Sequence, residues 1–304
     1  MQTTHRVFMV RPVRFGFNEE TAANNAFQVR SETDEAVQMV ERQAVREFDD
    51  YVALLRENGV TVEVLQDVAE PATPDSIFPN NCFSVHDTGT EKVLVLYPMF
   101  AKNRRLERSK LMAFLDKHHF DSILDLTDNE ERGLFLEGTG SLILDREHRF
   151  AYACQSPRTH REVVSEWAER MNYDYFMFDS QDEKGVPVYH SNVMMHVGTR
   201  FAIVCLDSIR NIHQREQLIR LLEERGKEIV AISLEQMHRF AGNMLELTNH
   251  QGEKLLVMSK TAKDSLTPEQ IGILEEDVRI LAPDISVIEK AGGGSARCML
   301  AELY

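Results

Sequence analysis

The 304-residue chain is 43% hydrophobic and 27% charged, a mix that calls for a packed globular fold rather than a disordered or fibrous one. Its formal charge is -15 and its longest basic cluster is only Lys102-Asn-Arg-Arg105, which excludes the cationic footprint that nucleic-acid binding needs. No apolar run reaches the roughly 18 residues of a membrane span, and the opening MQTTHRVFMVRP lacks the layout of an export signal, so a cytoplasmic location is expected.

Taken in chain order, hydrophobic periodicity repeats one theme. A strand, RVFMV, leads to a helix from about Glu35 to Asn58 that stops at Gly59, and then to a strand from Val60 to Leu65. Next come the strands CFSVH and KVLVLYP, a helix from about Arg104 to His118, and the strand DSILDL. A third round reads SLILD, FAYACQ, a helix from about Thr159 to Met171, and DYFMFD. A fourth reads NVMMHV, FAIVCL, a helix from about Asn211 to Arg225, and EIVAIS. A fifth reads NMLELT, KLLVMS, a helix from about Pro268 to Leu281, and ISVIE, and the chain closes with RCMLAEL. Each unit is strand, strand, helix, strand, except the first, which shows one clear strand before its helix. Stacked in a ring, such units put strands inside and helices outside, and the loops at one end of the inner strands converge.

Four cysteines are spread through the chain without zinc-type spacing, so neither a disulfide framework nor a structural metal is expected. Cys82, Cys154 and Cys205 sit in apolar strands and read as packing residues. Cys298 differs. It follows Gly292-Gly293-Gly294-Ser295-Ala296-Arg297, where glycines permit close backbone approach to a ligand and Arg297 favours a thiolate. A thiol nucleophile needs an acid/base partner. Among eleven histidines, His190 stands at an inner-strand entrance equivalent to that of Cys298, whereas His118, His119, His148, His213 and His238 fall at helix ends or in polar stretches and His196 reads as a core or rim residue. Glu137, in FLEGTGSLIL, occupies a third such entrance, where a carboxylate must meet a cation or donors to offset its desolvation.

These segments resemble the guanidine-modifying enzymes, or penteins, which include arginine deiminases, dimethylarginine dimethylaminohydrolases and amidinotransferases. The glycine run before Arg-Cys-Met resembles their nucleophile segment, EGTGSL their Glu-Gly-Gly-Asp segment and HSNVMMHVG their His-centred strand. The resemblance spans essentially the whole chain. It implies an α/β fold, the pentein five-bladed α/β propeller with pseudo-five-fold strand-strand-helix-strand repeats, as a single catalytic domain over 1–304. It also implies Cys298 as nucleophile, His190 as general acid/base and Glu137 as the carboxylate that orients substrate and imidazole, with no metal or cofactor.

RPVRFGFNEETAANNAFQ, PDSIFPNNCFSVH and QSPRTH together resemble the citrulline-utilisation hydrolases within that superfamily. Carried over, Arg158 holds the amino-acid end of the substrate, and the Arg104-Arg105 pair resembles a further contact, for which surface solvation is almost as good an account. Asp75, Phe78 and Arg297 complete the lining. Where deiminases grip a guanidinium with aspartates, this chain has Asn81 and Asn192, and an amide offers a donor and an acceptor suited to a neutral ureido group. Thr139 and Gly140 replace the second glycine and aspartate of the Glu-Gly-Gly-Asp segment. The expected partner is a small guanidino or ureido amino acid, best matched by citrulline, with arginine or dimethylarginine hydrolysis and amidino transfer as alternatives. A non-catalytic arginine sensor on the same fold is a further alternative, disfavoured by the presence of Cys298, His190 and Glu137. Oligomeric state is open, a homo-oligomer included, and so is whether the polar loop Asn18 to Thr33 closes over the site.

Overall fold

The computed structural model describes every residue except Ala23, Ala26, Ser31 and Glu32. Its strands form five three-stranded sheets. The first sheet combines β1 (Arg6–Arg11) and β2 (Thr61–Gln66) with a strand from the far end of the chain. The second holds β3 (Phe83–Asp87), β4 (Lys92–Leu96) and β5 (Ser122–Asp125), and the third β6 (Ile143–Asp145), β7 (Phe150–Cys154) and β8 (Asp174–Phe178). The fourth holds β9 (Met195–Val197), β10 (Phe201–Val204) and β11 (Glu228–Ala231), and the fifth β12 (Leu245–Thr248), β13 (Lys254–Val257) and β14 (Arg279–Leu281). The strand that completes the first sheet is β15 (Ala301–Leu303), which runs antiparallel to β1. The missing strand of the first unit is therefore supplied by RCMLAEL, and the repeat is whole.

In every sheet one strand pairs antiparallel with the middle strand, and the other is parallel to it after a helical crossover. Burial follows that order: all residues of β6, β9 and β15 are buried, whereas β5 buries only Leu124. The helix Asp34–Glu57 shows the outer layer's logic. Thr33 caps it by accepting from the Ala36 N–H, and Ala44, Phe48, Tyr51, Val52 and Leu55 recur at helical spacing on its buried face.

Three elements differ from the sequence expectation. ISVIE is not a strand but the start of a helix, Ser286–Gly292. Ile285, Ile288 and Ala291 fall on one buried stripe, and the Glu47 carboxylate accepts from the Val287 and Ile288 N–H groups at 3.0–3.1 Å, capping the helix from a neighbouring element. The helix that begins at Pro268 ends at Glu275, and Arg279–Leu281 becomes β14. The expected helix from Arg104 to His118 is instead two short pieces, Lys102–Arg105 and Glu107–Leu115.

Glu47 thus holds the helix that leads into the glycine run before Cys298. Glu47→Ala is expected to lower stability by about 1–2 kcal/mol, the usual cost of a lost N-cap, checked by urea unfolding; an unchanged midpoint would show that the cap contributes nothing.

Candidate functional site

Directly before each inner strand the chain makes a tight turn, and the five turns carry the candidate side chains. They are Pro79–Asn81 before β3, Gly138–Ser141 before β6, Ser191–Met194 before β9, Gly242-Asn243 before β12 and Ala296–Met299 before β15. Cys298 and Asn192, expected at the start of strands, therefore sit in helical turns one step earlier. The sheet ladder would have fixed those side chains in alternation; a turn lets successive ones crowd toward the axis. Gly138 makes one turn possible: it has φ +47°, and a Cβ there would collide with the Asn80 carbonyl.

Glu137, His190, Arg158 and Cys298 are all buried, at 0%, 2%, 2% and 3% exposure. His190 Nε2 donates to Glu137 Oε2 at 2.7 Å, Arg158 Nη1 donates to the same oxygen at 3.4 Å, and the Phe100 N–H donates to Oε1 at 3.0 Å. Burial opposes ionisation of Glu137, but Arg158 and the His190 bond outweigh it and hold the carboxyl far below its usual range. Burial drives His190 the other way, down to about 4 despite Glu137, so the imidazole is neutral near pH 7. With its proton on Nε2, Nδ1 is left as the basic atom. Cys298 Sγ accepts from Asn192 Nδ2 at 3.4 Å and from Asn243 Nδ2 at 3.2 Å. Asn192 lies two residues after His190, so one turn supplies both the imidazole and a donor to the sulfur. Burial pushes Cys154 up to about 12 and Cys205 up to about 11, and lifts Cys82 well above the ordinary thiol value, as suits inert packing thiols.

Other expected contacts are placed differently. Arg104 is neither solvated nor turned to a ligand: at 2% exposure it pairs with Glu107 at 2.8 Å and donates to Asn81 Oδ1, Asp75 O and Phe78 O. Arg297 does not reach the sulfur side either; its guanidinium is taken by the Leu300 carbonyl and by Glu302, both at 2.7–2.8 Å. Phe78 explains the glycine run. A Cβ at Gly292 or Gly294 would lie 2.9 Å from its ring, so those glycines admit a neighbouring aromatic side chain rather than a ligand. Gly293 is held by Tyr189 Oη and Asn25 Nδ2, both donating to its carbonyl.

The described part of the loop Asn18 to Thr33 lies against the site; Ala23, Ala26, Ser31 and Glu32 are outside the described residues. Asn18 Nδ2 and Thr21 Oγ1 donate to Asp75 Oδ2 at 2.8 and 3.0 Å, and Arg158 donates to Asn24 Oδ1 and to the Thr21 carbonyl. Four buried polar atoms here, Asp75 Oδ1, Asn80 Oδ1, Asn81 Nδ2 and Asn192 Oδ1, have no hydrogen-bond partner among the described residues. Each such atom costs about 1–3 kcal/mol, and functional sites are where that cost is tolerated. Among the described residues no trio of His, Cys, Asp or Glu is placed to hold a metal ion, and no helix is long and apolar enough to cross a membrane.

A model of the family described as N,N dimethylarginine dimethylhydrolase, eukaryotic, matches residues 11–304. The chain belongs to that family. That family places it among the guanidine-modifying enzymes. No curated protein matches the sequence. In fold, this dimethylhydrolase-family chain is similar to ArgZ, an arginine dihydrolase from the cyanobacterial ornithine–ammonia cycle, with 17% identity and a TM-score of 0.74 over 97% of this chain. It spans only 40% of that chain but 96% of the ArgZ N-terminal domain solved with a covalent reaction intermediate, again at 17% identity, TM-score 0.74 and 97% of this chain. A dimethylarginine dimethylaminohydrolase variant carrying an S-methyl-L-thiocitrulline adduct is similar at 12% identity and TM-score 0.68, over 99% of this chain and all of that one. At these identities the likeness is one of fold: the five-bladed pentein propeller.

Sequence reading missed Asn243. Its Oδ1 accepts from the Arg297 N–H at 3.0 Å while its Nδ2 faces the sulfur, so the fifth turn contributes as the others do. The entrance position itself was the signal: GNMLEL stands before β12 as HSNVMM does before β9.

Two outcomes are expected. In the unliganded protein the His190 ring should titrate near 4 by NMR; a midpoint at or above the ordinary value near 6.5 would contradict the burial account. Because the folded value is depressed, His190 contributes stability that is intact above about 6.5 and falls away as pH drops through 4.

Proposed function

We propose that the protein hydrolyses the ureido carbon of citrulline or a citrulline-like amino acid through a thioester-like intermediate on Cys298. The observation that carries this reading is the pair of amide faces left unpartnered. Asn81 presents a donor, Nδ2, and Asn192 presents an acceptor, Oδ1, matching a ureido oxygen and a ureido N–H respectively. A Cβ at Gly140 would collide with Asn81 Nδ2 and lie 2.9 Å from His190 Nδ1, so the donor and the basic nitrogen share one space.

In this reading the Cys298 proton passes to His190 Nδ1, and the imidazolium is stabilised by Glu137. The thiolate, held by Asn192 and Asn243, adds to the planar carbon. The tetrahedral adduct collapses when His190 returns the proton to the terminal nitrogen, which leaves as ammonia. Water, deprotonated by the same ring, then adds to the S-linked carbon and releases the thiolate. The product is a carbamate of ornithine, which loses carbon dioxide; citrulline and one water give ornithine, ammonia and carbon dioxide. Asp75 and Arg158, opposite charges bound to Asn18, Thr21 and Asn24, would in this reading meet the charged ends of a zwitterionic amino acid. Positioning of this kind is worth several orders of magnitude in rate.

A second reading, hydrolysis of arginine or a methylated arginine, draws support from Asp75 Oδ1, a carboxylate oxygen without a partner among the described residues that would suit a cation, from the family's own name and from the fold neighbour ArgZ, an arginine dihydrolase. Product analysis separates the two. Citrulline incubated with the protein should yield ornithine and ammonia, and Cys298→Ala should lose at least about 10³-fold of that activity. Citrulline accumulation from arginine or dimethylarginine, with no ornithine from citrulline, would overturn the first reading in favour of the second.

A further inference from the structure

We propose that Arg104 is a positioning residue that sets selectivity by fixing which way the Asn81 amide faces. This rests on the reading of Asn81 as the group that meets the substrate's ureido oxygen. A guanidinium only donates hydrogen bonds. Arg104 Nη1 lies 2.7 Å from Asn81 Oδ1, so the amide oxygen is bound to face it and the amide nitrogen is turned to the space beside His190 Nδ1 and Gly140. In the flipped amide two donors would confront each other inside a buried site, and the acceptor would be turned to the space beside Gly140.

Arg104 is itself held on every side. Nε and Nη2 donate to Glu107 at 2.8 and 3.1 Å, and Nη2 also reaches Phe78 O at 3.0 Å and Asp75 O at 3.3 Å. It therefore cannot swing away, and it ties the Asn81 side chain to the backbone that leads into its turn. Glu107 is 1% exposed and is also met by the Cys82 thiol at 2.9 Å, so the buried cation is matched by a buried anion and adds no net charge behind the amide. The space beside Gly140 and His190 is thus offered a neutral N–H donor. A ureido oxygen accepts from it, whereas a guanidinium, all of whose polar hydrogens donate, meets a like group. Selectivity is in this way set one residue behind the side chain that touches the substrate. Lysine does not reproduce the brace: a single ammonium cannot span Asn81, Glu107 and two carbonyls at once.

The test compares kcat/KM for citrulline and for arginine in the full chain, in Arg104→Lys and in Asn81→Asp. Arg104→Lys should lower the citrulline-to-arginine ratio about tenfold or more, mainly through KM, as the released amide samples both orientations. Asn81→Asp keeps the partner of Arg104 but turns a carboxylate oxygen to that space, and should move the ratio toward arginine by about 100-fold. A merely structural role for Arg104 would lower both activities in step and leave the ratio unmoved, which overturns the proposal. Should Arg104→Lys fail to fold, Asn81→Asp decides, because an unchanged ratio there shows that the substrate does not read this amide. Failure of the underlying reading looks different: the unsubstituted protein would then turn over neither substrate, or arginine alone.

Discussion

The pairing of β15 with β1 is the constraint on which everything else depends. Three residue pairs, Arg6 with Leu303, Val7 with Glu302 and Phe8 with Ala301, return the end of the chain to its beginning and close the ring of sheets. Only that closure brings the turn Ala296–Met299, with Cys298, among the turns carrying Asn81, Glu137, His190 and Asn243. The join is made of buried residues: Phe8, Met299 and Leu300 are at 0% exposure, so register is set by packing as well as by ladder hydrogen bonds. Cys298, in the turn that leads into the closing strand, meets the other candidate side chains only when the whole circle has formed.

Within that circle, charge is buried in matched sets. Glu137 faces Arg158 and His190, Arg104 faces Glu107, and Arg297 faces Glu302. Such pairs are weak sources of stability because desolvation offsets their attraction, and breaking one by removing a partner is costly. Their use here is directional. Two of them fix the orientation of a neighbouring neutral group: Glu137 sets the imidazole tautomer and Arg104 sets the Asn81 amide, whereas the Asn243 amide that faces the sulfur is set by a backbone N–H, that of Arg297. What is left over is a short set of unpartnered donors and acceptors at one place.

Much of this was legible in the sequence because the repeat is written in hydrophobic periodicity, and because Cys298, His190 and Glu137 occupy the same step of three different units. The geometry of the remainder was not, for physical reasons. Arg104 read as a substrate-end contact or a solvated residue, yet it is buried against Glu107, Asn81 and two carbonyls, a set assembled by tertiary packing. Gly292 and Gly294 signalled close approach correctly but not to what, since Phe78 lies more than two hundred residues away in sequence. ISVIEK has strand-like local composition and becomes a helix because Glu47, on a distant helix, caps it; tertiary context overrode propensity. Asn243 carried no motif at all beyond its place in the repeat.

The central claim is that Cys298 forms a covalent bond to the substrate's planar carbon. Mass spectrometry of protein acid-quenched during turnover, followed by peptide mapping, tests it most directly. The account predicts an adduct of substrate less ammonia on the peptide containing Cys298. Turnover that persists after Cys298 has been fully alkylated, or an adduct mapping to Cys82, Cys154 or Cys205 instead, would contradict it.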